Sequence, residues 1–211
     1  SLICCLLLFV ACGKERTNFL AKGYHKTTSY FNGYYNANEI LKATTFMIDD
    51  QYQYPGGGLF DIYYIGTEDE VKNYEGDFDK IIEKNDIVIY KHPKGGYADD
   101  CRFMNGQSHF FKKDFKKAME NFDDVIESYP ESDIIPKTYL WKAMTHYEAG
   151  NPELAIDILE EHIYPFDTIE FDKKGALYMA IFQSKLAIDT SNFAAAAEVL
   201  EPIIDDVIGR Q

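Results

Sequence analysis

After Gly96 the chain carries one pattern three times: an apolar stripe with helical spacing, a short break, and a second stripe. Apolar residues at i, i+3, i+4 and i+7 lie on one face of an amphipathic helix. Two such helices joined by a short turn bury their faces against each other, and the next pair covers the surface that remains. The spacing therefore predicts an all-α chain of stacked helical hairpins with no substantial sheet.

The starts and breaks of these helices follow from local signals. Asp99 and Asp100 are expected to cap the first helix, because carboxylates satisfy free amides and the dipole at a helix N-terminus. Gly150 is the break within the second pair, and Asn151 is the expected cap of the helix behind it. The buried stripe of that helix is expected to be Leu154, Ala155, Ile158, Leu159 and Ile163. The predicted pairs are residues 99–111 with 114–128, 136–149 with 151–163, and 173–188 with 193–208.

These hairpins resemble tetratricopeptide repeats. In the first hairpin Gly106 is the small residue where the two helices cross, and Pro130 closes the unit. A small residue is needed because helix axes approach to about 8–10 Å only when no large side chain stands between them. The second helix carries the signature Phe115, Ala118 and Phe122. The equivalents are Ala143, Gly150, Ala155 and Leu159 in the second hairpin, and Ser184, Phe193, Ala196 and Leu200 in the third.

The predicted repeat boundaries are about 99–130, 134–165 and 173–208 within residues 99–211. Ala118, Ala155 and Ala196 are 37 and 41 residues apart. The usual period is about 34 residues, so the connections between hairpins must be longer. Pro202 should kink or end the last helix. No clearly polar capping helix follows it, so we expect a fragment of a longer array.

An uncharged apolar run, residues 2–11, leads directly into Cys12. The run is about half the ~20 residues that a helix needs to cross a bilayer, which is typical of a secretory signal. Val10-Ala11-Cys12 has the form of a bacterial lipoprotein cleavage site. We therefore expect a signal peptide at residues 1–11 and lipid attachment at Cys12, with the chain beginning a few residues after the true start.

The formal net charge of −14 lies wholly in the chain after this signal. Binding to phosphate needs clustered Lys and Arg, so nucleic acid is not expected as a partner. Beyond the signal only Cys12 and Cys101 remain, and the lipid would occupy Cys12. No internal disulfide is therefore expected, and Cys101 is predicted to be a small buried apolar residue.

The region before the repeats is predicted to be a tether at residues 12–27 and a helical region with an irregular insert at residues 28–98. Helical spacing of Tyr30, Tyr34, Ala37 and Leu41 predicts a helix over residues 28–49. Asp77 is expected to cap a second helix. Residues 86–90 alternate like a strand, but we assign them to that helix.

A longer set of residues carries a narrower resemblance. Residues 27–39 (TTSYFNGYYNANE), residues 77–84 (DFDKIIEK) and the start of the Gly106 hairpin are similar to the N-terminal part of the tetratricopeptide lipoproteins of the Bacteroidetes gliding-motility and type IX secretion machinery. The resemblance covers most of residues 12–130. It implies an outer-membrane-anchored, periplasm-facing scaffold that contacts other secretion-machinery proteins and has no enzymatic activity.

The first helices of stacked hairpins line a concave groove, which suits an extended peptide or a helix of a partner. The alternative is that residues 28–98 fold across this groove and fill it. The positions expected to face the groove are Asp100, Phe103, Gln107, Phe110, Lys137, Leu140, Met144, Tyr147, Tyr178, Ile181 and Lys185.

Catalytic patterns are scarce. The five histidines show no i, i+4 spacing with a carboxylate, and the glycine run at residues 56–58 lacks the Lys-Ser/Thr of a phosphate loop. His109 and His146 fall at equivalent repeat positions and are expected to pack between helices. We predict no enzyme, no cofactor and no metal.

Three functions remain open. The first is a secretion or motility scaffold. The second is an outer-membrane protein assembly lipoprotein, which normally begins its repeats soon after the lipid, so the stretch at residues 52–98 argues against it. The third is a glycan-binding nutrient-uptake lipoprotein, suggested by the 15% aromatic content. Only Trp141 is a tryptophan, so exposed stacking platforms look scarce.

Overall fold

The computed structural model describes residues 33–52, 64–93, 95–163 and 173–189, and positions 192, 194–195 and 198–199. Of residues 173–178 only the backbone is described. The described chain is helical and contains no strand, which confirms the predicted fold class. The predicted signal, Cys12, and most of the predicted helix at residues 193–208 lie outside the described residues.

The described residues form eight helices, and consecutive long helices pair as hairpins. The helices are α1 (Tyr35–Asp50), α2 (Glu68–Lys72), α3 (Glu75–Lys91), α4 (Ala98–Phe111), α5 (Phe115–Ser128), α6 (Ile135–Glu148), α7 (Pro152–His162) and α8 (Lys173–Asp189). Hairpin 1 consists of α1 and α3, with the short α2 between them. Hairpin 2 is α4 and α5, hairpin 3 is α6 and α7, and α8 packs next against α6.

Hairpin 1 contains both helices predicted within residues 28–98, but the prediction did not pair them with each other or stack them on hairpin 2. Its helices α1 and α3 pack along each other, and α3 packs against α4. The connection is ordered by a capping box at α2, where Glu70 accepts from the Thr67 amide at 2.7 Å and donates its own amide to the Thr67 hydroxyl. The described part of residues 28–98 therefore adds a hairpin to the stack.

The alternating residues 86–90 belong to α3, as predicted. The buried residues of α3 fall at i, i+3, i+7 and i+10, which is helical spacing: Phe78, Ile81, Asn85 and Val88. The predicted cap at Asp77 is wrong, because α3 begins one turn earlier and its N-cap residue is Tyr74. Asp77 lies in the first turn and pairs with Lys80 at 2.8 Å.

Hairpin 2 crosses at Gly106, as predicted. A Cβ built on Gly106 would overlap the ring of Phe122, lying 2.7 Å from its Cδ1 and 2.8 Å from its Cζ. Glycine is required here because the aromatic ring occupies the space of any side chain. Asp114 caps α5 by accepting from the Lys117 amide. Asp99 and Asp100 are not caps, since Tyr97 is the N-cap residue and both carboxylates lie in the first turn of α4.

Hairpin 3 turns at Gly150, whose φ of +82° favours glycine. Asn151 is the N-cap residue of α7, but its side chain makes no capping bond and donates to the carbonyl of Ala149 at 3.4 Å. The predicted capping role of this side chain is therefore wrong. Leu154 is also a correction, because it is 48% exposed; the buried stripe is Ala155, Leu159 and Ile163, with Ile158 half-buried.

Two junctions join the hairpins. Between hairpins 1 and 2, the buried Asn85 amide donates to Asn105 at 2.9 Å, and Asn105 donates to Asp86 at 2.8 Å. Between hairpins 2 and 3, Ser132 donates to Asp99 at 2.6 Å, and Lys142 pairs with Asp123 at 2.6 Å. Polar bonds thus fix the register of both junctions, around a shared apolar core.

Candidate functional site: the concave cleft

A cleft of about 160 Å³ opens between the first helices of the three hairpins. We call it the concave cleft. Each of its three walls is one helix, so the side chains that face it are held by rigid backbone. The walls are Tyr34, Asn38, Leu41, Lys42 and Thr45 of α1, Asp100, Phe103, Met104, Gln107 and Phe111 of α4, and Ile134, Lys137 and Trp141 at α6.

The floor of the concave cleft is an aromatic cluster. The Trp141 ring centroid lies 6.2 Å from that of Phe103, edge-on, and 6.0 Å from that of Phe111. Trp141 is 1% exposed and Phe103 and Phe111 are 6% exposed, so only ring edges reach the cleft. Such packed rings keep their rotamers, which makes the floor a preformed apolar surface.

Polar groups surround this floor. Asn38, Thr45 and Gln107 offer neutral donors and acceptors, and Lys42 pairs with Glu39 at 2.9 Å on the α1 side. Lys137 lies on the α6 side, and the one carboxylate among the described lining residues is Asp100. An apolar floor with a few polar groups is the usual composition of a recognition site.

Asp100 is the most perturbed of these groups. Burial, together with the neighbouring carboxylates Asp99 and Asp133, raises its pKa to about 7, while Lys137 acts in the opposite direction. Near neutral pH this carboxyl group therefore exchanges between its neutral and ionised forms. A perturbed acid in a cleft is a functional-site indicator, because its protonation responds to whatever binds beside it.

With this geometry in view, comparison with family models gives a match to the tetratricopeptide repeat over residues 100–132. The matched segment is α4, α5 and the turn behind them, which are the helices that cross at Gly106. The chain contains a tetratricopeptide repeat. Such repeats are typical of scaffolds for protein–protein interaction, which implies protein partners. No curated protein matches the chain.

The structure divides the predicted groove of the tetratricopeptide region into open and buried positions. Phe103, Gln107, Asp100 and Lys137 line the concave cleft. Phe110, Leu140 and Met144 do not, because they are 0%, 0% and 1% exposed. Phe110 packs edge-on against Trp141 at 5.3 Å, so the cleft closes toward the C-terminal end of α4. These three assignments are corrected: the residues belong to the core.

Of the remaining predicted groove residues, Tyr147 lines a second cleft, of about 420 Å³, between α6, α7 and α8. Tyr147 packs edge-on against Phe182 at 5.6 Å, bonds to Asp189, and lies under the Lys185 ammonium at 5.2 Å. Ile181 is half-buried on α8. The side chain of Tyr178 lies outside the described residues.

Sequence reasoning missed the whole α1 wall. Asn38, Lys42 and Thr45 line the cleft, whereas residues 28–98 were expected either to form a separate region or to fill the groove. In the described part, α1 stands beside α4 as the first helix of another hairpin and leaves the cleft open. Gly33 could have indicated this wall, because an added Cβ there would overlap Val88 of α3. Gly106 allows the same close approach of two helices in hairpin 2.

Other predicted features show no site. His109 and His146 are half-buried between helices, and burial lowers the pKa of both imidazoles. Cys101 is fully buried and burial raises the pKa of its thiol, which leaves it inert. No group of three or more His, Cys, Asp or Glu side chains in the described ranges is placed to hold a metal ion. None of the described helices has the length and apolar character needed to span a bilayer.

Proposed function

We propose that this protein is a lipid-anchored scaffold of the cell envelope, attached to the outer membrane on its periplasmic side, that supports protein secretion or gliding motility. It acts by holding a segment of another envelope protein in the concave cleft. The observation that carries the binding role is the open, preformed cleft shared by α1, α4 and α6. The apolar run before Cys12 and the similarity of residues 27–39 and 77–84 to gliding-motility lipoproteins support the location and the process.

Two other functions have weaker support. A glycan-binding role requires exposed aromatic platforms, and the single tryptophan, Trp141, is 1% exposed. One finding favours an outer-membrane protein assembly lipoprotein. With hairpin 1 included, the stack of hairpins begins fewer residues after Cys12 in the sequence than the predicted repeats did. Secretion and outer-membrane assembly can be distinguished by experiment.

The binding role is tested by filling the cleft. Gln107→Trp and Thr45→Trp place a large side chain into it from α4 and α1, at half-buried positions that tolerate added volume. Lys116→Trp is the matched control, because Lys116 is exposed on α5 and lies away from the cleft. We expect both cleft variants to fold, to lose an envelope partner in pull-downs from solubilised membranes, and to retain cargo inside the cell.

The outcomes separate the functions. Normal secretion with depleted outer-membrane barrels would favour the assembly role, and unchanged partners with lost oligosaccharide binding would favour the glycan role. If the cleft variants behave like Lys116→Trp in every assay, the concave cleft is not the working surface.

The anchor is tested separately with Cys12→Ala in the full-length gene. We expect the variant to lose lipid labelling and to leave the membrane fraction, because two or more acyl chains are needed for stable attachment. Ser1→Ala, at the start of the same apolar segment, is the control. A processed, lipid-labelled Cys12→Ala protein would show that the attachment site is elsewhere.

A further inference from the structure

The charged side chains of the concave cleft differ in whether another residue of the chain pairs with them. Lys42 pairs with Glu39 at 2.9 Å, and Lys137 also has an interaction partner. The Asp100 carboxylate is half-buried and lines the cleft, and it makes no hydrogen bond and no ion pair within 4 Å with any other described residue. Its neighbour Asp99 is different, since that carboxylate accepts from Ser132 at 2.6 Å.

The surroundings of Asp100 disfavour a negative charge. Burial and the carboxylates of Asp99 and Asp133 oppose ionisation, and Lys137 only partly offsets them. A buried charge without a partner is costly, whereas a hydrogen-bonded opposite charge removes much of that cost. A cation brought by a ligand would therefore gain a strong, charge-assisted bond at this position.

The size and floor of the cleft define the rest of the ligand. A volume of about 160 Å³ accommodates side chains rather than a drug-sized molecule, and the ring edges of Phe103, Phe111 and Trp141 supply an apolar contact surface. The carboxylate of Asp100 lies in the first turn of α4, and Phe103, which also lines the cleft, lies three residues further along the same face. A basic group and an apolar group of one peptide can thus be bound along the same helix.

We propose that Asp100 determines the specificity of the concave cleft, which selects a partner segment that carries Lys or Arg beside a large apolar side chain. This inference rests on the proposed binding function and identifies the chemistry of the partner. Asn38, Thr45 and Gln107 are placed to bond the partner's backbone. The bound cation holds Asp100 in its ionised form, so binding releases a proton near neutral pH.

Because binding releases a proton, the affinity for the peptide depends on pH. Below pH 6 Asp100 is neutral and the basic side chain gains little; above pH 8 Asp100 is ionised before binding. The charged groups around it are Asp99 on α4, Asp133 before α6, Lys137 on α6, and the Lys42–Glu39 pair on α1. Affinity for a basic peptide is therefore expected to rise about tenfold between pH 6 and pH 8.

The test uses the whole chain and a phage-displayed library of random twelve-residue peptides. Selection at pH 8 on the wild type is expected to enrich Lys or Arg next to Phe, Leu, Ile or Trp. On Asp100→Asn the basic preference is lost while the apolar preference remains, and the best basic peptide binds about tenfold more weakly with no pH dependence. Glu83→Gln, on the exposed face of α3, is the control and keeps the wild-type preference.

The two proposals fail in different ways. If the wild type enriches nothing beyond what Gln107→Trp enriches, the cleft does not bind peptides and the proposed function fails with it. If peptides are enriched but show no basic preference, or show Asp and Glu instead, the cleft binds partners and the role of Asp100 is wrong. Asp100→Lys provides a further check, since it is expected to reverse the preference toward Asp and Glu.

Discussion

The two junctions between hairpins bury different kinds of polar group. At the junction of hairpins 1 and 2, the amides of Asn85 and Asn105 face each other at 2.9 Å and are 0% and 2% exposed. At the junction of hairpins 2 and 3, the bonding groups are ionisable: Asp99 with Ser132, and Lys142 with Asp123. Asp100 lies at this second junction and faces the cleft.

The buried bond of the first junction therefore has a structural role, whereas the second junction can respond to pH and to bound cations. Amides carry no titratable proton, so the buried Asn85–Asn105 bond persists at any pH at which the chain is folded. The carboxylates of the first junction, Asp86 and Asp79, lie exposed at its edge, whereas those of the second junction make its bonds at half-buried positions and change with pH, salt and bound cations. The buried bond between hairpins 1 and 2 is thus independent of pH, whereas the bonds that attach the α6 wall of the concave cleft involve charged groups.

The largest effect on the free energy of unfolding is expected in hairpin 2, which both junctions share. Gly106→Leu places a side chain where the Phe122 ring lies, so we expect a loss of about 3 kcal/mol in the free energy of unfolding, at the upper end of overpacking costs. Gln107→Leu, one residue away and facing the cleft, is expected to change stability by about 0.5 kcal/mol or less. Urea titrations of both variants compare them directly.

Gly33→Leu is the matching change in hairpin 1, because an added side chain there overlaps Val88 and comes within 3.3 Å of the Lys84 carbonyl oxygen. A stiff β-branched partner cannot move aside, so a similar loss is expected. Equal stability of Gly106→Leu and Gln107→Leu would overturn the repeat register. Unchanged stability of Gly33→Leu would contradict the close packing of Gly33 against α3 within hairpin 1.

An intermediate effect is expected at the amide junction. Asn105→Ala leaves the buried Asn85 amide without its acceptor, and a lost bond of this kind costs about 2 kcal/mol. The loss should be the same at pH 6 and pH 8. Asn121→Ala on α5 is the control, since Asn121 is half-buried and bonds only within its own helix.

The amide pair can also be replaced as a unit. Asn85→Leu with Asn105→Leu removes both partners, and we expect the double variant to recover part of the loss, because replacing both partners of a buried hydrogen bond by apolar groups is nearly neutral. A pH-dependent cost for Asn105→Ala would erase the distinction between the two junctions.

The smallest effect is expected at the charged junction. The pKa of Asp100 is raised from its ordinary 3.8 to about 7 in the folded chain, so folding opposes the ionisation of this group. Stability is unaffected below about pH 3.8, falls as the pH rises from there, and the loss is complete above about pH 7. Asp100→Asn is therefore expected to raise stability by about 1 kcal/mol at pH 8, after solvent screening at the cleft is allowed for, and by little at pH 4.5.

Urea titrations of wild type and Asp100→Asn at both pH values check this sign. Glu83→Gln is again the control, and its stability is expected to follow that of the wild type at both pH values. A variant that is less stable than wild type at pH 8 would mean that the Asp100 charge has a stabilising partner in the free protein, which would weaken the case for a ligand cation.

Much of the fold could be predicted from the pattern of residues in the sequence. The spacing of apolar side chains determined the helices of hairpins 2 and 3 to within one or two residues, and small residues at Gly106, Ala143 and Ser184 marked positions that the structure buries. Caps were less certain. Asp77, Asp99 and Asp100 lie inside first turns, because an acidic residue is equally favourable at the cap and one turn in.

The sequence by itself determined that this chain forms paired helices with one apolar face each, because a period of 3.6 residues and the placement of glycine are local properties. Only the tertiary structure decided which part of each face stays open. Gln107 and Phe110 lie on the same side of α4, yet Gln107 lines the cleft and Phe110 is covered by Trp141 of a helix about 30 residues later. Periodicity identifies the apolar side of a helix, but the neighbour that covers it is set by packing between distant segments.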